Sequence, residues 1–495
     1  MADLAPREPH RPLIWPDLVY QLQDELLNFD QAVYIVGGAV RDALFHRPLS
    51  DLDLATPVDG IKLARRIANL LNGDFFVLDS ERDVGRVLFD SEDSGRIVID
   101  VARLRGEDLA ADLEDRDFTI NAMAVDLRGH VGLLIDPLNG EQDARAKLIR
   151  RCNPGSLVSD PIRALRAVRQ SVQLEMRIEP ETLKDVRAAV TKLPDVSAER
   201  VRDEFVKMLA LEKPRKALRV ADALGLLQLI VPEATALHTL PASGRDYADG
   251  WQETLAVIEK LAHILQAIGP KRSDHTGASF GVGMFVIQLD KYRPQLRKYI
   301  EQRWPNERPH TVLLILSALA WNVGKLIADD SDKVERHLAF VDRWVKELRL
   351  SNDERERLLS IIRYSHEPSQ MTDGSPLILH RFWRQSGEAG VDICLLVAAQ
   401  YLGTSGSELN QDVWLEFVER LRTLLEAYFE HYETIVEPPV LVNGNELMAQ
   451  FNLKPGPIIG TLLTQIREAQ VVGDVQSVDD ALALARNYLG EADQR

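Results

Sequence analysis

The stretch Gly37-Gly38-Ala39-Val40-Arg41-Asp42, followed closely by Asp51-Leu52-Asp53, constrains this chain more than any other feature. An apolar run, Val33-Tyr34-Ile35-Val36, precedes the glycines and predicts a buried strand. Paired glycines directly after a strand let the backbone approach a phosphate with its N–H groups exposed. Arg41 adds a planar cation beside them. Asp51 and Asp53 fall in a second short strand, expected over Asp51 to Thr56, and a period of two places both carboxylates on one face. Two hard anionic ligands beside a phosphate cradle suit Mg²⁺. The combination is the equipment for phosphoryl or nucleotidyl transfer assisted by two metal ions. Either motif alone matches by accident; what carries weight is their order within one strand–turn–helix–strand segment.

The chain has 495 residues, enough for three or four units of ordinary size. Two cysteines, Cys152 and Cys394, make neither a disulfide framework nor a zinc knuckle, and a reducing cytoplasm fits. The start, Met1 to Pro16, is polar and proline-rich, unlike a signal segment. The longest apolar stretch, Val312 to Trp321, is too short to span a bilayer and reads as a buried helix, so no membrane partner is expected.

A net charge of −17 argues against indiscriminate nucleic-acid binding. Between Arg145 and Arg177, however, stand eight cations (Arg145, Lys147, Arg150, Arg151, Arg163, Arg166, Arg169, Arg177) and only two acids, Asp160 and Glu175. A basic segment in an acidic chain suggests a confined polyanion site; the alternative is a solvated helix face.

The pattern along the chain is that of an α+β protein: a small mixed-sheet head followed by an all-helical remainder. Strands are expected at Gly85 to Asp90 and Ile97 to Val101, and a helix at Leu63 to Leu71. From Pro161 onward apolar residues recur at helical spacing, broken by loops at Thr239 to Gly250 and Ile268 to Gly283. Glu437-Pro438-Pro439 marks a hinge before a final small unit. The expected division is an N-terminal extension (1–29), the head (30–150), a helical neck (151–230), a helical body (231–436) and a tail (437–495).

Two further constellations carry chemistry. One is Asp112-Leu113 with Arg116-Asp117-Phe118-Thr119-Ile120-Asn121-Ala122; the other is Asp160-Pro161-Ile162-Arg163-Ala164-Leu165-Arg166-Ala167-Val168-Arg169. In the latter, Pro161 is placed to open a helix and Asp160 to cap it. Arginines at i, i+3 and i+6 drift round the helix, leaving Asp160 and Arg163 as neighbours. A carboxylate and a guanidinium together can read the edge of a base, and the farther arginines can hold phosphates. Three solvated arginines would look the same in isolation.

In their order and spacing over roughly residues 30–230, these three motifs resemble the class II tRNA nucleotidyltransferase and bacterial poly(A) polymerase family. Leu441-Val442-Asn443-Gly444 and Pro455 to Gly460 resemble the tail of its larger members. The resemblance implies a template-independent enzyme that adds C, A or both to the tRNA 3′ end from CTP and ATP. Asp51 and Asp53 would bind Mg²⁺ and direct the 3′-hydroxyl onto the nucleotide; Asp100 is a candidate third carboxylate. Gly38 and Arg41 would hold the triphosphate, and Arg116 and Asp117 would contact the ribose and the neck. Asp160 and Arg163 would pair with the base edge, assisted by Arg166 and Arg169.

The chain departs from the family pattern in three places. Ser159 stands where a glutamate usually precedes Asp160, and Asp115 where an arginine precedes Arg116. The connection from Asp100 to Asp112 is short, where members that build a complete CCA end carry a longer flexible loop; an enzyme adding only CC or only A therefore stays open. Finally, Asp249 to Leu255 and Leu316 to Lys325 resemble an HD phosphohydrolase frame, yet Glu253, Trp321, Asn322 and Gln400 occupy its ligand positions. The residues suit a body that kept this fold without the metal site, with His337 at a further position of the frame and His366 as a surface residue. Rival readings are a poly(A) polymerase on general RNA, an HD-type phosphohydrolase, and a non-catalytic RNA-binding protein.

Overall fold

The computed structural model describes residues 4–27, 29–49, 51–91, 95–270, 280–327 and 332–492. The chain divides into two compact units, residues 1–204 with 220–229 and residues 205–219 with 230–495. In the first, α1 (Asp17–Leu26) leads to β1 (Tyr34–Val36), α2 (Gly38–Leu44), β2 (Asp51–Thr56), α3 (Gly60–Leu71), β3 (Asp74–Asp79), β4 (Val84–Ser91), β5 (Gly95–Arg103), α4 (Leu109–Glu114) and β6 (Ala124–Asp126). The six strands form one mixed sheet, in the order β3-β4-β5-β2-β1-β6. β2 and β5 run parallel, with Asp53 opposite Asp100; the other pairs are antiparallel. Alternation in β2 buries Leu52 and Leu54 and turns Asp51 and Asp53 to the opposite face. Leu63, Ala64, Ile67 and Ala68 of α3 and Leu18, Val19, Leu22 and Leu26 of α1 are buried with the strand interiors. The segment before α1 is tied to the head: Arg7 bridges Asp136 and Glu141 at 3.0 and 2.6 Å, and Trp15 Nε1 donates to Val131 O at 2.8 Å.

The same unit continues through α5 (Gly140–Ala146), α6 (Ser156–Ser159), α7 (Arg163–Gln173) and α8 (Pro180–Ala189) into the first part of α9 (Ala198–Leu209), whose residues from Phe205 on belong to the second unit. Pro161 does not open α7. Asp160, Pro161 and Ile162 form a preceding turn, with Arg163 N–H on Asp160 O at 3.1 Å, and the Asp160 carboxylate caps nothing.

The second unit is helical. Helices Gly250–Ile268, His310–Val323 and Ala389–Ser405 form its centre, and Val312–Ala320 is buried, as its continuous apolar run requires. Residues 271–279 of the loop expected at Ile268 to Gly283 lie outside the described residues. Phe280–Gly283, expected in that loop, instead opens the helix Phe280–Gln288. The glycine at 281 serves close packing rather than a turn: a β-carbon there would meet Leu402 Cδ2 at 2.3 Å. The last three helices close a small core of Leu447, Leu462, Ile466, Ala481 and Ala485.

Candidate active site

The turn between β1 and α2 brings the glycines against the carboxylates. Gly37 sits at φ 76°, a left-handed conformation that side chains resist. A β-carbon on it would lie 3.0 Å from both Arg116 Nη1 and Asp53 Oδ2. The bare backbone of Gly37 is thus what allows a cation and a carboxylate to approach the turn from opposite constellations. Arg41, four residues on, donates to Asn121 Oδ1 at 2.6 Å and to both Asp42 oxygens.

Asp53 is half-buried and closely surrounded. Burial raises its carboxyl to about 6; Asp100 and Asp51 push the same way, while Arg116 and Arg166 oppose them. Asp100 is held by Arg86 of β4 through two bonds of 2.8 Å. Asp112, buried at the base of α4, accepts from Arg116 Nε and Nη2 at 3.0 and 2.9 Å and from Arg105 N–H at 2.9 Å. It fixes Arg116 beside Asp53. Asp51 and Asp53 suit a divalent metal ion: they are oxygen donors on one strand face, with Asp100 opposite Asp53 on the neighbouring strand.

A second layer links the two later motifs. Burial pushes the Asp117 carboxyl up, but the Arg166 guanidinium, the Asn121 amide and the Phe118 N–H outweigh it and hold it well below the usual range. Arg166 reaches Asp117 at 2.7 Å and Glu204 at 3.6 Å. Arg169 pairs with Glu204 at 2.7 Å and with Gln173 at 3.0 Å. Arg163 is 7% exposed; its Nη groups donate to the main-chain oxygens of Asp115, Arg116 and Ser156, and its Nε stands 3.9 Å from Asp160. Asp160 pairs instead with Arg200 of α9 at 2.8 Å.

Of the residues singled out in the sequence, Gly38, Asp51, Asp53, Arg116, Asp117 and Arg166 thus gather round one locus, and Arg41 joins it through Asn121. Asp160 and Arg163 are neighbours as expected, each engaged by the protein. Sequence reading missed Arg86, Arg200 and Glu204. Arg86 becomes visible only through the β4–β5 register, which sets it opposite Asp100. In the body, the buried Glu253 and Asn322 meet the partly exposed Lys325: Lys325 Nζ lies 2.8 Å from Glu253 Oε2 and 4.8 Å from the Trp321 ring centre, and Asn322 Nδ2 donates to Gly250 O and Thr254 Oγ1. Among the described residues no trio of His, Cys, Asp and Glu groups close enough to share an ion forms there. His337 bonds Ala320 O, and His366 is exposed.

Fold and site define a nucleotidyltransferase with a glycine turn and an aspartate pair on one strand. Residues 33–150 match the poly A polymerase head domain, 175–237 an RNA- and SrmB-binding site of polymerase A, and 417–485 a tRNA nucleotidyltransferase domain 2. An A-adding tRNA nucleotidyltransferase of Deinococcus radiodurans is 29% identical, covering 96% of this chain and 99% of that protein. A CC-adding enzyme of Synechocystis is 26% identical over 95% and 97% of the two chains. The solved complex of a CCA-adding enzyme with ATP shares the fold, with a TM-score of 0.58, 19% identity and coverage of 96% and 95%. The chain belongs to the family of tRNA nucleotidyltransferases and bacterial poly(A) polymerases. Enzymes of this family use a divalent metal ion. No described helix is long and apolar enough to cross a membrane.

Proposed function

We propose that this chain adds C, A or both to the 3′ ends of tRNA in the cytoplasm, taking CTP and ATP and releasing pyrophosphate. The observation that carries this reading is the convergence of Asp51, Asp53, the Gly37–Gly38 turn and Arg116. It is supported by relatives named for A- and CC-addition to tRNA that span nearly the whole chain. Asp51 and Asp53 would hold Mg²⁺, which when bound sharpens the primer hydroxyl as nucleophile and neutralises the departing pyrophosphate. Gly38 and Arg41 border the space for the triphosphate. Arg116, braced by Asp112, and Arg166, braced by Asp117, supply positive charge beside Asp53. Asp160 is suited to cytosine and adenine alike, because both present an exocyclic amino group to a carboxylate where uracil and guanine present a carbonyl. Reading of the base by Asp160 and Arg163 requires that Asp160 leave Arg200 and that Arg163 exchange main-chain oxygens for the base. Arg169 acts through Glu204, steadying the helix that carries Arg166.

A narrower reading, addition of only CC or only A, is favoured by the connection after β5. Leu104 is buried, Arg105 N–H is tied to Asp112, and Asp108 caps α4 through Ala111 N–H at 2.9 Å. This is a pinned turn, without the slack of a switching loop. Incorporation of labelled CTP and ATP into tRNA transcripts ending at the discriminator base, at C and at CC tests both readings. Stopping at CC, or use of only the CC-ended transcript with ATP, is the expected result. A complete CCA on the shortest transcript would overturn the narrower reading. Long A tails on unrelated RNA would overturn the assignment to tRNA.

A further inference from the structure

The basic segment Arg145–Arg177 is only partly used by the site. Arg150 is paired with Asp143, Arg151 with Asp185, Arg166 with Asp117 and Arg169 with Glu204, while Arg163 is spent on main-chain oxygens. Arg145 and Lys147 have no acidic partner among the described residues. Both line a cavity of about 430 Å³ at the C-terminal end of α2, whose opposite end carries the glycine turn. Arg11, from the segment before α1, and Arg47, just after α2, complete the rim, and neither pairs with an acid among the described residues. Of the two lining acids, Glu141 is already occupied by Arg7 and by the His10 N–H. Four cations, Arg11, Arg47, Arg145 and Lys147, therefore outnumber the two lining acids, Glu141 and Glu175.

The floor differs from the rim. Leu44, Ala144, Leu174 and Met176 are buried, and the half-buried Phe45 ring carries the Arg47 guanidinium 5.5 Å from its centre. The volume is that of a small-ligand pocket. An apolar floor with an aromatic ring and an arginine plane suits a stacked base, and the cations suit a phosphate. None of the lining residues belongs to the catalytic locus.

We infer that this cavity is a second site for a nucleoside phosphate, either a free nucleotide or one nucleotide of an RNA chain. The test uses full-length protein and two probes: labelled AMP by equilibrium dialysis, and a tRNA transcript by filter binding over a salt series. The variant is Arg145→Glu/Lys147→Glu, with Arg47→Glu as an independent second. All of these side chains are exposed, so the fold and CTP incorporation at saturating substrates should stay within about twofold of wild type. If the ligand is a free nucleotide, AMP affinity falls at least tenfold in both variants and tRNA affinity is unchanged. If it is RNA, tRNA affinity falls at least tenfold in the double variant, its salt slope drops by about two, and AMP is unaffected. Loss of both supports a site open to either source. Unchanged AMP and tRNA binding in both variants, or no AMP binding by wild type together with unchanged tRNA binding, overturns the inference.

Discussion

Asp53 and Gly37 show how single residues shape the candidate active site. The Asp53 carboxyl titrates near 6 because burial, then Asp100 and Asp51, disfavour its charge more than Arg116 and Arg166 favour it. Its unfolded counterpart titrates near 3.9. Ionised Asp53 therefore costs folding stability above about pH 6, a cost relieved as the pH falls towards 4. Metal binding needs the ionised form. Below pH 6 a proton competes with Mg²⁺, so the Mg²⁺ concentration for half-maximal CTP incorporation should rise by nearly tenfold per pH unit and be level above pH 7. Mg²⁺ titrations from pH 5 to 8 measure this; a flat profile would separate Asp53 from the metal. At Gly37, a methyl group would meet Arg116 and Asp53 at 3.0 Å in a backbone conformation strained for alanine. Gly37→Ala should reduce kcat about 100-fold, the scale of a misplacement near 1 Å, with tRNA affinity by filter binding little changed.

Among the elements, β2 was the most legible and α4 one of the least. The bounds of β2, Asp51 to Thr56, follow from period-two alternation, which is local to the chain and needs no partner. The Gly37 turn was legible for the same reason. What a sequence hides is register: Asp53 faces Asp100 from 47 residues away, and Arg86 reaches Asp100 only because β4 pairs with β5. The edge strand β3 went unread because three of its four apolar residues, Phe76, Val77 and Leu78, are about half exposed and only Phe75 is partly buried, so no buried face imposes alternation. The helix start at Pro161 was misplaced because Asp160 turns to Arg200, a partner on α9 that local capping preferences do not anticipate. In α4 the decisive residue is Asp112, which joins the connection from β5 to Arg116. Asp112→Ala leaves the Arg116 guanidinium with Asp53 as its neighbouring charge and the Arg105 N–H without its acceptor. It should cost about 2 kcal/mol in urea unfolding and raise the KM for CTP, because Arg116 loses its brace. Unchanged stability would mean that Arg116 finds another partner.

Beyond the sheet-bearing unit, the chain carries a helical unit whose centre is electrostatic as well as apolar. Glu253 is fully buried on the helix Gly250–Ile268, and its Oε2 accepts from Lys325 and, at 3.4 Å, from Asn322. Its Oε1 and the Asn322 Oδ1 have no protein donor. Lys325 also bonds Ser243 Oγ and lies against Trp321, so one ammonium ties together residues distant in sequence. Lys325 therefore gives the buried Glu253 an internal counter-charge where the sequence has no imidazole ligands, while Glu253 Oε1 and Asn322 Oδ1 stay without a protein donor. Lys325→Met should strand the Glu253 charge and cost about 3 kcal/mol, the low end of such losses because Lys325 keeps 30% of its side chain exposed. Adding Glu253→Leu removes the stranded charge, so the double variant should be more stable than Lys325→Met alone. Urea unfolding of the two variants and wild type gives the three free energies. CTP incorporation measured well below the unfolding transition should stay near wild type in both, since neither residue belongs to the catalytic locus. A double variant no more stable than Lys325→Met would show that Lys325 acts through packing on Trp321 instead of through Glu253.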